Sequence, residues 1–175
     1  PGSKQAIASR HNIAASGTFD IQGGSVSGAG TITANVANAG QFTPGSAVGV
    51  LTIVGNYAQA AAGSLQIEIG GATVGSQYDQ LKVFGPVSLN GALHLGLING
   101  FVPSLGQQFT ILNNDGTDSV AGMFDGLLEG NVVLVGGFGF QISYSGGDGN
   151  NDVVLTTVLV SSSAQLQADP CDSSK

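Results

Sequence analysis

The chain has 175 residues, 29 of them glycine; 42% are hydrophobic, only 9% are charged, and the formal net charge is −7. So large an apolar fraction excludes intrinsic disorder, and the length suits one domain with a sizeable core. Lys4, Arg10, Lys82 and Lys175 are the whole complement of lysine and arginine, too few to build a basic patch for nucleic acid or for an anionic membrane surface.

The opening "PGS" has the look of a cloning remnant, and residues 1–15 are polar and weakly patterned, so they are expected to form an N-terminal tail. From residue 16 onward, short runs of alternating apolar residues begin. In chain order they are "GTFDIQ", "LTIVGNY", "SLQIEIG", "QLKVFG", "ALHLGLI", "QFTILN", "NVVLVGG", "FQISYS" and "DVVLTTV". In "SLQIEIG", Leu65, Ile67 and Ile69 fall on one side and Gln66 and Glu68 on the other. That is period 2, the mark of a half-buried strand. Gly, Asn, Asp and Ser clusters between the runs supply tight turns, and no stretch shows sustained helical spacing.

The runs also repeat. Leu51, Gly55 and Tyr57 match Leu81, Gly85 and Val87; Gly63 and Leu65 match Gly91 and Leu93. "GSVSGAGTITANVANAGQFTPG" reads as an earlier, shorter coil. A short strand and a small-residue corner, used repeatedly, predict an all-β chain built as a right-handed parallel β-helix, a solenoid whose coils bury their apolar faces against one another. A β-sandwich of the same strands is the alternative. From about residue 101 to 145 the loops lengthen and strands come in pairs, which predicts a hairpin-rich C-terminal cap over an otherwise open end. The packed domain is expected over 16–160, followed by a polar tail or linker, "SSSAQLQADPCDSSK", at 161–175.

These segments resemble the C-terminal passenger segments of autotransporter-like bacterial surface proteins, of the type built from autotransporter-associated β-strand repeats. The likeness rests on Asn38, Gly40, Pro44, Gly45, Gly49 and Leu51; on the Y-D-x-L-x-V strand of Tyr78, Asp79, Leu81 and Val83; on Gly100, Phe101, Pro103, Gly106, Phe109, Ile111 and Leu112; and on the closing stretch from Tyr144 to Thr156, which carries one extra Asn. The resemblance implies a secreted or cell-surface β-helix, part of a larger bacterial protein, with roles in adhesion or in spacing a tip from the membrane. A single cysteine, Cys171, and scarce lysine fit an exported protein, and the segment is expected to be a fragment of a longer chain.

One stretch invites a metal. "GGDGNND" holds Gly146, Gly147 and Gly149 where a Gly-Gly-x-Gly-x-Asp calcium repeat would have them, but Asn151 stands at the Asp position and Asp152 comes one later. A single copy cannot form the stacked ion sites of a calcium β-roll. Asp148, Asn150 and Asp152 remain candidate oxygen donors to calcium in a loop site, against a plain glycine-rich turn. Asp115, Asp118 and Asp125 form a second acidic loop with the same two readings.

Catalysis finds less to work with. A nucleophilic triad needs a histidine beside a nucleophile; His11 falls in the tail, His94 alternates outward between Leu93 and Leu95, and Cys171 has no fixed base. Carbohydrate-active β-helices are the sharpest enzyme alternative. Glu68, Asp79 and Glu129 could serve, but Arg10 and Lys82 are the only candidate cationic bases, there is no Trp, and Glu68 and Asp79 are expected on a solvated face. The reading is therefore a non-catalytic structural or adhesive module, with no catalytic residues and no cofactor besides a candidate calcium. Its expected partners are cell-surface glycans or other copies of itself, with no nucleic acid and no membrane insertion; a carbohydrate-binding or carbohydrate-active β-helix is the alternative. Leu51, Ile53, Leu65, Ile67, Leu81, Val83, Leu93, Leu95, Phe109 and Ile111 are the expected core.

Overall fold

The computed structural model describes residues 4–160, and side chains from residue 17. The tail expected at 161–175, with Cys171, and the side chains of Arg10 and His11 lie outside the described residues. All the regular structure is β: β1 (Lys4–Ile21), β2 (Ser25–Asn38), β3 (Gln41–Pro44), β4 (Val50–Ile53), β5 (Tyr57–Gln59), β6 (Ser64–Ile69), β7 (Gln80–Val83), β8 (Val87–Leu89), β9 (Ala92–Leu97), β10 (Gln108–Asn114), β11 (Ala121–Gly122), β12 (Val132–Val135), β13 (Phe138–Gly146) and β14 (Asp152–Val158). Strand structure thus begins at Lys4, inside the stretch read as a tail, because β1 pairs in parallel along the whole of β2.

β2 organises the rest. Its first third pairs with β3, its middle with β4 and its last third with β5, all in parallel. Each pairing continues as a ladder. β3 leads to β6 and β9, β4 to β7 and β10, and β5 to β8 and β11. The repeat seen in the sequence is therefore a register: Leu51 pairs with Leu81, Tyr57 with Val87 and Leu65 with Leu93. Residues 51–60 and 81–90 show the same alternation of buried and exposed positions.

The inward rows form one apolar core. Ile32, Ile53 and Val83 are successive rungs, as are Leu51, Leu81 and Leu112, and all are fully buried. Eight of the ten expected core residues are buried outright; Leu93 and Leu95 are only half-buried. Their strand, β9, is the last of its ladder among the described residues and pairs with β6 alone.

Beyond β10 the pairing changes. β12 and β13 form an antiparallel hairpin through Gly136 and Gly137, both at positive φ (58° and 86°), the two-residue turn that suits strand twist. β14 runs antiparallel between β13 and the first half of β10. The expected boundary near 101 is not sharp: Leu112–Asn114 and Ala121–Gly122 still extend the parallel ladders. Tyr78, Phe109 and Phe140 fill the junction, with Tyr78 edge-on to Phe109 at 5.4 Å between ring centroids.

Candidate functional site

The outward rows are mostly polar. Thr31, Thr52, Lys82 and Asn113 stand on successive rungs of one ladder. Lys82 lays its ammonium over the Phe84 ring, 4.9 Å from the centroid. His94 is exposed, in register with Gln66. Among the described residues, no three of His, Cys, Asp and Glu come together as a metal-ligand group.

Of the acidic side chains that could serve sugar chemistry, Asp79 and Glu129 accept backbone N–H groups, while Glu68 stands half-buried on the outward side of β6. Asp79 does not sit on a solvated face; it is fully buried. Its Oδ1 accepts the Gly49 N–H at 2.8 Å and its Oδ2 accepts the Glu68 N–H at 2.9 Å. One donor lies just before β4 and the other within β6, and the carboxylate satisfies both. Burial pushes its pKa up to about 7, against the pull of both hydrogen bonds. Glu129 accepts the Tyr144 N–H at 2.6 Å, while the Tyr144 hydroxyl donates to the Leu127 carbonyl and accepts from the Phe124 N–H.

A second buried polar line runs through the corners. Asn38 Nδ2 donates to the Tyr57 hydroxyl, which donates to Gln59 Oε1; Gln59 Nε2 in turn donates to the carbonyls of Asn90 and Ala92. Asn38, Tyr57 and Gln59 are all buried. Asn38 at the end of β2 is thus linked through Tyr57 and Gln59 of β5 to the backbone around β9.

The third polar knot joins the two loops singled out for calcium. Residues 147–150 are the turn between β13 and β14, with Gly147, Gly149 and Asn150 at positive φ. Asp148 and Asn150 are exposed on it, whereas Asp152 is buried. Asp152 Oδ1 accepts the Asn114 N–H at 2.8 Å, and its Oδ2 accepts from Asn113 Nδ2 at 3.4 Å. Beside it, Asn151 Nδ2 donates to the carbonyls of Asn114, Gly116 and Asp118. Two acidic stretches that lie far apart in sequence therefore meet. Burial pushes the Asp152 carboxyl up; the bonds from Asn114 and Asn113 oppose this, and the charges of Asp148 and Asp115 add to it. Asp125 stands apart, exposed in the following turn.

Asn114 and Asn151 escaped the sequence reading as site residues. Asn114 occupies the inward position in register with Val83, where the row is otherwise aliphatic. Asn151 carried the one available signal, an amide at the Asp position of the glycine-rich repeat. Set against family models, curated proteins and solved structures, the chain matches none.

Proposed function

We propose that this chain is a non-catalytic structural or adhesive module of an exported, cell-surface protein, and that its three parallel ladders are the faces of a right-handed β-helix closed at one end by the antiparallel strands. The observation that carries this reading is the continuity of the rows. Leu51, Leu81 and Leu112 lie in register on one ladder, and Leu65 and Leu93 on another, so each coil gains its apolar cover from its neighbours. The likeness to autotransporter-like passenger segments supports the same reading. The mechanism is mechanical: ladders of backbone hydrogen bonds and an unbroken core make a stiff body whose outward amides and hydroxyls meet glycans or further copies. The buried acids are engaged by backbone N–H groups, which leaves no facing pair of free carboxylates among them.

The test is to apply the purified chain to a glycan array and to whole bacterial cells, and in parallel to incubate it with a panel of polysaccharides. Retention on glycans or cells with no product released supports the proposal. Release of reducing or unsaturated sugars overturns it in favour of a carbohydrate-active β-helix.

A further inference from the structure

We propose that the knot between the β10–β11 loop and the β13–β14 turn binds a hard divalent cation, calcium by its chemistry, with Asp118, Asn114 and Asn151 as the inner oxygen donors. Three buried oxygens in this knot accept no hydrogen bond from the described residues: Asn114 Oδ1, Asp118 Oδ2 and Asn151 Oδ1. Asn114 and Asn151 are each 2% exposed. Their orientation is fixed from the nitrogen side. Asn114 Nδ2 donates to the Asp118 carbonyl at 2.7 Å, and Asn151 Nδ2 donates to three carbonyls, the shortest at 2.6 Å to Gly116. Exchanging amide oxygen and nitrogen would set oxygen against oxygen in each case. Asn151 Oδ1 points into the 147–151 turn, 2.9 Å from where a side chain on Gly149 would begin.

Buried acceptors left without a partner each cost about 1–3 kcal/mol, and this knot concentrates three of them in a negative surrounding. Asp115 and Asp148 are exposed at its rim, and their charges reach Asp152. Lys82 is the only lysine or arginine between residues 17 and 160, and its ammonium lies on the Phe84 ring. No positive side chain among the described residues is free to serve as their partner, the role the proposed cation fills. Carboxylate and amide oxygens with no imidazole or thiolate suit calcium rather than a transition metal. The donor set differs from the one the sequence suggested. Asn150 is an exposed turn residue, and both oxygens of Asp152 already accept hydrogen bonds from β10. The inference is independent of the reading of the chain as a surface module.

The experiment is calorimetric titration of the chelator-treated chain with calcium chloride alone, paired with thermal melts in calcium and in chelator. One ion per chain and a higher melting temperature in calcium are expected. Asp118→Asn should weaken binding at least about tenfold, since affinity follows the number of charged ligands, while Asp125→Asn binds as the parent does. Because Asp118→Asn touches the loop itself, the rim pair Asp115→Asn with Asp148→Asn provides the second arm: several-fold weaker binding, with the melt in chelator no lower than the parent's. Absence of both heat and melting shift at millimolar calcium assigns the three oxygens to ordered water and overturns the proposal. Binding undiminished in Asp118→Asn overturns it as well.

Discussion

Asp79 holds the backbone amide of Gly49, thirty residues earlier in the chain, through a 2.8 Å hydrogen bond to its Oδ1. The same side chain receives the Glu68 amide on its other oxygen, and its own N–H returns a bond to the Glu68 carbonyl. One carboxylate thereby ties β6 to the paired strands β4 and β7 at the point where both begin.

Stability should accordingly depend on pH in an unusual direction. The Asp79 carboxyl titrates near 7 in the fold against 3.8 ordinarily, so between those values the folded chain keeps a proton that the unfolded chain releases. Stability then falls as pH rises from about 4 to about 7 and levels off above. Asp152, also pushed up, acts with the same sign. Urea melts across this range should show the fall, and Asp79→Asn should reduce its slope without abolishing it. Relative to the parent, the same variant should gain stability as pH rises from about 4 to about 8, because only the parent must ionise a buried carboxyl.

Tyr57→Phe tests the polar line through the corners. It keeps the ring against Phe42, 5.6 Å away between centroids, and removes only the hydroxyl between Asn38 and Gln59. Two buried amides lose a partner, so a loss of about 1–3 kcal/mol is expected in chemical denaturation. A melt equal to the parent's would mean that the line has no energetic role.

Leu81 tests the packing between ladder strands. It is fully buried between Leu51 and Leu112. Leu81→Ala should cost about 2–5 kcal/mol. Leu81→Asp should leave no cooperative melt by circular dichroism, since nothing near it offsets a buried charge.

Two glycines separate backbone strain from crowding. Gly91 and Gly100 share a φ of 64°, but a side chain on Gly91 would begin 2.6 Å from the Ala60 carbonyl oxygen, whereas one on Gly100 meets open space. Gly100→Ala should cost about 1 kcal/mol, the penalty of left-handed backbone alone. Gly91→Ala should cost clearly more, because the backbone of the preceding coil must move. Equal melts for the two variants would show that the corner at Gly91 yields freely.

Alternation made the strands legible. Ile67 and Val83 had to face inward, and a repeat written in Leu51, Leu65, Leu81 and Leu93 became the pairing register itself. What stayed hidden was the fate of individual polar residues. Whether an aspartate is solvated depends on which backbone donors arrive from other coils, and no local pattern around Asp79 announces Gly49. The same holds for Asn114, whose neighbours in sequence are ordinary turn residues. The first part of β1, up to residue 15, was missed for a related reason: its strand character comes from β2 rather than from its own weak alternation. The two acidic loops were each visible, but their meeting was not, because β14 brings residues 147–152 back beside β10 from a distance that spacing alone does not encode.

The place of β14 also bears on how this chain acquires its structure in time. The parallel ladders join segments close in sequence, such as β4 with β7 and β6 with β9, so they can grow by addition, each new strand templated on the last. β14 is different. It enters between β10 and β13, and until residues 152–158 have been made and delivered, both of those strands keep a bare edge. Assembly is therefore incremental for most of the sequence and all-or-none at the finish, and a nascent chain halted before residue 152 would carry two adhesive edges that the completed protein conceals.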